Sequence, residues 1–295
     1  MRPLVVTGPT AAGKSAVAMA LAERWGATIV AMDAMTVYRG MDIGTAKPSA
    51  EDRARVPHRG LDLRDPDEPF SAADFVAVAE AAMAEGRPTI LCGGAAFYLR
   101  AFLDGLVATP PADAHLRARF DALPDPHAAL ALVDPVLAAR LHPNDRVRIV
   151  RGLEVHALTG RPLSALHAED HPTRRDCEVV WVDRDDLPAR IDARVVAMMA
   201  AGYLDEVRRL LDAGVSRHCK PMRSLGYLHL AAHLAGELSV DEAVRLTQQD
   251  SRRFARKQRT FFRGLGLTPG GDAIEAAQRA FGGPTGGGGA PRPAP

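Results

Sequence analysis

Eight residues near the N-terminus, Gly8-Pro9-Thr10-Ala11-Ala12-Gly13-Lys14-Ser15, constrain this chain more than any other stretch. They fit G-x-x-x-x-G-K-[ST], the phosphate-binding loop, at every fixed position. The flanks fit too: Leu4-Val5-Val6-Thr7 is a short apolar strand run, and Lys14 to Arg24 carries Val17, Ala18 and Leu21 at helical spacing. A strand, a glycine turn and a helix N-terminus aim successive N–H groups at an anion, and the helix dipole adds positive potential there. Lys14 would reach the outer phosphates and the Ser15 hydroxyl would ligate Mg²⁺. These eight residues are therefore the candidate diphosphate- or nucleotide-binding set.

The rest of the N-terminal part continues in the same style. Thr28 to Met32 reads as a second strand ending at Asp33, and a carboxylate there stands at the rim where α/β sheets bind ligands. The glycine-punctuated block from Tyr38 to Pro48 reads as an ordered loop, and His58 to Leu63 as a weak third strand. Ser71 and Asp74 form a capping-box pattern before a helix whose apolar positions are Phe75, Val78, Ala79, Ala82 and Met83. Pro88 to Cys92 is a further strand, followed by the turn Gly93-Gly94 and a helix from about Ala95 to Leu103. Alternating strand and helix predict a parallel, doubly wound α/β sheet of the phosphate-loop nucleoside-triphosphate-hydrolase type.

The texture changes at Thr109-Pro110-Pro111. From 110 to 172 the patterns are helical, with several prolines and no convincing strand, which predicts an inserted helical lobe. The strand Glu178 to Val182 resumes the core, which thus takes 1–109 and 173–265. Two helices are expected after it: one from about Leu187 to Ala213, and one from Val240 to Arg263 that Ser239 and Glu242 open. Residues 266–295 read as a tail, with 282–295, almost wholly Gly, Pro and Ala, unable to bury a core.

A chain of 295 residues, 47% hydrophobic and 25% charged, suits a globular protein with a sizeable core. The net charge of +1 does not announce a nucleic-acid binder, so any basic surface must be local. Cys92, Cys177 and Cys219 are widely spaced, which points to neither a disulfide framework nor a zinc site. His142 and His171 have no further ligand at metal spacing. No apolar run approaches the ~18 residues of a membrane span, and Met1-Arg2-Pro3 leads straight into the first strand, so a cytoplasmic protein is expected.

Several blocks resemble the tRNA dimethylallyltransferase (isopentenyltransferase) family. They are 8–15, Tyr38-Arg39-Gly40-Met41-Asp42-Ile43-Gly44-Thr45-Ala46-Lys47-Pro48, Leu61 to Pro66, His142-Pro143-Asn144-Asp145, Arg151 to Val155, Leu225-Gly226-Tyr227 and Arg256-Lys257-Gln258-Arg259-Thr260. They fall in the family's order and cover residues 3 to about 265. The resemblance implies transfer of a dimethylallyl group from dimethylallyl diphosphate to N6 of the adenine beside the anticodon, position 37, in tRNAs reading codons that begin with U. It also implies that the lobe grips the anticodon stem-loop. A monomer is adequate for this; the alternatives are a transferase acting on a free adenine nucleotide and a weakly active tRNA-binding paralogue.

By resemblance Lys14 and Arg223 clamp the diphosphate, and Asp33 is the general base that takes the N6 proton. Position alone leaves Asp33 open to another role, holding Mg²⁺ through water. Ala34, Met35 and Thr36 fall at the adenine-recognition turn. The family has Ser and Gln where this chain has Ala34 and Thr36, Thr where it has Ala95, a basic residue at Leu228 and Trp at Phe261. Losing the hydroxyl at 95 removes a group expected beside the reacting amine. The basic clusters expected to hold phosphates are Arg252, Arg253, Arg256, Lys257, Arg259 and Arg263; Arg140, Arg146, Arg148 and Arg151; and Arg117 with Arg119. A solvated helix face is the other reading of each.

Overall fold

A strand buried on both faces must be almost wholly apolar, and in β1 (Leu4–Thr7) all four residues are buried, the hydroxyl of Thr7 being bonded to Gly93 O. The computed structural model describes residues 1–169 and 174–282. It places β1 with β2 (Thr28–Ala31), β3 (His58–Arg59), β4 (Thr89–Gly93) and β5 (Glu178–Trp181) in one sheet. The strand order is β3-β2-β4-β1-β5, and every pairing is parallel. The α/β core expected from the alternation of elements is therefore present. The third strand is shorter than the sequence suggests, because the chain turns at Gly60 and rejoins only through a bridge between Tyr38 and Arg64.

Before the insertion come α1 (Lys14–Trp25), α2 (Ala50–Arg55), α3 (Ala72–Ala84) and α4 (Ala96–Asp104). The insertion holds α5 (Ala114–Asp121), α6 (Pro126–Val133), α7 (Pro135–Ala138), α8 (Arg146–Thr159) and α9 (Leu163–Glu169). After β5 follow α10 (Leu187–Ala200), α11 (Tyr203–Asp212), a 3-10 turn at Pro221–Arg223, α12 (Tyr227–Leu234), α13 (Val240–Gly264) and α14 (Ala273–Phe281).

The chain divides into two compact units, residues 1–103 with 176 onward, and Asp104–Arg175. In the first, side chains alternate across the sheet. Leu4, Val6, Ile29, Ile90 and Val180 meet Ala18, Leu21 and Trp25 of α1 and the alanines 276, 277 and 280 of α14. On the other face Val5, Val30, Leu91 and Trp181 meet Phe75 of α3, Phe102 of α4, Val207 of α11, Leu230 of α12 and Phe262 of α13. The capping box of Ser71 and Asp74 is formed in both directions, whereas Ser239 accepts from the Glu242 N–H without the return bond being made.

Three expectations need correction. Residues 187–213 are two helices, because Gly202 takes a left-handed φ of 96° and redirects the chain. The sequence reading assigns no element between 214 and 239, where the structure has the 3-10 turn and α12. Nor is 266–281 a tail: Asp272 caps α14, whose buried face is built of alanines and covers β5 and β1. Small residues flanked by glycines disguised a helix. His171 and the stretch from 283 onward lie outside the described residues.

The second unit, slightly wider than the 110–172 expected, has no strand among its described residues. Asp113, Asp125, Asp134 and Asp145 cap four of its helices, and Leu130, Ala138, Ile149 and Leu153 form its core. Glu154 is completely buried there. Its carboxylate accepts from Arg117 Nε at 3.0 Å, the Asp113 N–H at 2.6 Å and Arg151. These bonds hold its pKa below the usual glutamate value against the desolvation that pushes it up.

Candidate active site

In parallel sheets the ligand crevice lies beyond the carboxyl ends of the strands, and in the first unit three strand ends converge. Thr7 Oγ1 at the end of β1 donates to Gly93 O at 3.0 Å. The Ala95 N–H donates to Met32 O, just after β2, at 3.2 Å. A Cβ on Gly93 would stand 2.0 Å from that same oxygen, so only glycine lets β4 pass so close to β2. This knot puts Asp33, Ala95 and the phosphate loop at one rim.

A cavity of about 730 Å³ opens there. Its walls come from Thr10 of the phosphate loop, from Asp33, Ala34 and Met35, from Gly44 and Thr45, from Gly94 to Tyr98, and from α10, Tyr203 of α11, the 220–227 segment and α13. Among the described residues, Asp33 is the one carboxylate in these walls, against four cations: Arg194, Lys220, Arg223 and Lys257. The apolar part includes Met198, Tyr203, Tyr227, Phe254 and Phe261. An anion with an apolar or aromatic extension matches such a lining.

The electrostatics follow from burial. Asp33 Oδ1 accepts the Met35 N–H at 2.8 Å, which fixes the carboxylate at the strand end. Arg194 Nη1 donates to Thr10 Oγ1 at 2.9 Å; desolvation lowers its pKa and Asp33 partly restores it. A desolvated guanidinium with one hydroxyl for a partner gains strongly from an arriving anion. The Lys14 ammonium donates to Pro9 O at 2.7 Å, and burial brings its pKa down to about 8. Burial likewise pushes the neighbouring Cys92 thiol up to about 11, which keeps it protonated at neutral pH. All three cysteines are free.

The residues expected at the site divide into three groups. Asp33, Ala34, Met35, Ala95, Arg223, Lys257 and Thr10 meet at the cavity. The rest of the loop stands beside it: Gly8, Pro9, Ala11, Ala12 and Gly13 turn out of β1, while Lys14 and Ser15 begin α1 and leave first-turn N–H groups without intrahelical partners. Thr36 departs from expectation, because it is buried, lies outside the cavity walls, and its hydroxyl has no partner. Arg256 is exposed, but three other arginines expected to hold phosphate are engaged within the protein. Arg259 is gripped by Asp183 at 2.8 and 2.9 Å, Arg117 by Glu154, and Arg146 by Asp121 at 3.0 Å.

The model of the IPP transferase family matches residues 36–265, and that of isopentenyl transferases matches residues 1–64. The chain belongs to the IPP transferase family. A relative from Geobacter metallireducens, a tRNA dimethylallyltransferase, is 51% identical over 276 residues, 89% of each chain. Another of the same description, from Symbiobacterium thermophilum, is 48% identical, covering 88% of this chain and 86% of its own. The solved tRNA isopentenylpyrophosphate transferase of Bacillus halodurans superposes with a TM-score of 0.63 at 35% identity, over 89% of this chain and 87% of its own.

In this IPP transferase, part of the 38–48 block serves the fold. Lys47, almost fully buried, donates to Tyr38 O, Asp42 and Asp62, while buried Glu206 accepts the N–H groups of Asp42, Ile43 and Gly44 and the Tyr227 hydroxyl. Sequence reasoning missed Arg194, Lys220 and Gln258. Arg194 did leave a signal: it is a charge on the otherwise apolar stripe Ile191, Val195 and Met198 of α10. Lys220 left none, lying in a segment without recognised periodicity.

Proposed function

We propose that the protein transfers the dimethylallyl group of dimethylallyl diphosphate to N6 of the adenine at position 37 in tRNAs that read codons beginning with U. The observation that carries this reading is the cavity, with one carboxylate among cations, a phosphate loop at its edge and an aromatic wall. The leaving diphosphate accumulates charge as the C1–O bond breaks, and fixed cations at its oxygens are worth most at that moment. Lys14, Arg194 and Arg223 are the groups we assign to it. Asp33 takes the proton that the amine loses as N6 forms its bond to C1, and the diphosphate departs with the bonding electrons.

Mg²⁺ is the implied cofactor, and the donor set fits it. Ser15, an exposed residue at the start of α1 beside Cys92, offers a hydroxyl oxygen, and among the described residues no group of three His, Cys, Asp or Glu side chains is placed to hold a metal ion elsewhere. Mg²⁺ commonly rests on a few protein oxygens plus substrate phosphates. When bound it would neutralise developing charge on the diphosphate.

Reading an anticodon-loop base requires turning it out of its stack, and exposed Phe97 and Phe254 at the cavity offer aromatic faces for the unstacked nucleotides. No helix of the described residues is long and apolar enough to cross a membrane. We place the protein in the cytoplasm as a monomer acting on the anticodon stem-loop. The test uses labelled dimethylallyl diphosphate with an unmodified tRNA transcript, the same transcript carrying guanine at position 37, and AMP. Label in the first alone is the expected result. Label in AMP but not tRNA would replace the acceptor, and label in none would overturn the reading.

A further inference from the structure

The buried amide of Gln258 ties together the two halves of the reaction site. From α13 its Oε1 accepts the N–H of Thr10 in the phosphate loop at 2.9 Å, while its Nε2 donates to Gly94 O at 2.8 Å. The residue is only 5% exposed and its bond to Gly94 is buried, so the amide is costly to leave unpaired. Gly94 opens the turn that carries Ala95, and the Ala95 N–H is bonded to the carbonyl immediately before Asp33. One amide therefore spans the donor loop and the turn beside the proposed base.

Sterics on this turn support the role. A Cβ on Gly94 would lie 2.3 Å from Gln258 Nε2 and 3.3 Å from Gly8 O, so the turn, the loop's first glycine and the amide are in close contact. Arg194 holds the same Thr10 by its hydroxyl, so the residue is fastened from α10 on one group and from α13 on another. A Thr10 N–H spent on Gln258 is not available to an anion. Its part is to orient the loop, and the phosphate is left to the N–H groups that follow.

We infer that Gln258 is a positioning residue for the transfer. It sets the spacing between the diphosphate cradle and the turn that bears Ala95 and adjoins Asp33. The inference rests on the proposed reaction but concerns neither substrate's own binding. Each substrate has its own contacts, so each should bind when the amide is gone. What fails is their mutual placement, and a displacement of about 1 Å between reacting groups can cost about a hundredfold in rate.

The test compares wild type with Gln258→Met, which keeps the length and removes both bonds, and Gln258→Glu, which keeps an acceptor for Thr10 and removes the donor to Gly94. Single-turnover rate with both substrates saturating is measured beside the separate affinities for dimethylallyl diphosphate and for tRNA, with thermal melting as a check of folding. The expected result for both variants is a rate lower by about a hundredfold, with each affinity within about threefold of wild type. Rates near wild type in either variant overturn the inference. So do affinities that fall as far as the rate, since that pattern marks a general packing role. Transfer by the wild type in the same assay separates the two ideas. Its absence removes the reaction and the inference together, whereas wild-type transfer with unaffected variants removes the inference alone.

Discussion

At the scale of single residues, the side chains around the rim make different demands of one another. Asp33 uses one oxygen to accept the Met35 N–H, and asparagine preserves that acceptor while removing the base. Asp33→Asn should therefore lower the single-turnover rate by about 10²- to 10⁴-fold, the usual worth of a positioned base, with diphosphate affinity kept. A rate near wild type in rapid-quench experiments would take the base role from Asp33. Lys14 has a pH signature. Its pKa of about 8 means that the ligand-free protein carries this charge below pH 8 and loses it above, so affinity for inorganic diphosphate should fall as pH rises through that value. Lys14→Arg should move the fall far higher, which calorimetric titration reads directly. The linked stability has the opposite slope: the unfolded lysine binds its proton up to its ordinary 10.5, so between about 8 and 10.5 raising the pH favours the folded chain. Ala95 lines the open cavity and is only partly buried, so a hydroxyl has room there. Ala95→Thr should raise the single-turnover rate about tenfold, about 1.4 kcal/mol, with tRNA affinity unchanged. A lower rate would show that the threonine clashes.

At the scale of elements, α13 carries three kinds of face. Thr247, Ser251, Phe254, Gln258 and Phe261 look into the cavity, Phe262 into the core, and Arg256 out to solvent. Its basic run looks uniform in sequence, yet its members differ in what they touch. Arg256→Ala combined with Lys257→Ala should reduce the slope of log affinity for tRNA against log salt by up to about 1.4, or roughly 0.7 per lost contact. Arg259→Ala should leave that slope alone and instead leave Asp183, which is only 12% exposed, without its counter-ion and with only the Arg184 N–H bonded to it, at a cost of roughly 1–3 kcal/mol seen in thermal melting. Interchanged outcomes would reverse the assignment of these residues. The strand ends and helix caps were legible in sequence because their partners are near: Ser71 needs only Asp74, and Asp33 needs only Met35. Gln258 was not, because its partners lie 248 and 164 residues away.

At the scale of the whole molecule, α14 closes the sheet face that α1 leaves open, with Ala276, Ala277 and Ala280 buried. Ending the chain at Gly271 would expose Val180, Leu4 and their neighbours. At roughly 0.8 kcal/mol for each CH₂-sized group uncovered, the loss should be on the order of several kcal/mol. An unchanged melting temperature in that truncation would mean that α14 is no part of the core. By itself the sequence determined the phosphate loop, the alternation of strand and helix, the helical character of the insertion's described residues and the carboxylate after β2. Motif spacing, periodicity and turn chemistry are local, and a few adjacent residues suffice to specify them. Only the tertiary structure decided which arginines stay free and which are spent on Asp183, Glu154 and Asp121. It alone buried Thr36 away from the cavity, turned an alanine-rich tail into a packed helix, and brought Arg194 and Gln258 onto Thr10. Each of those outcomes depends on partners brought from afar by the fold, and a side chain's chemistry says nothing of which distant group will reach it first.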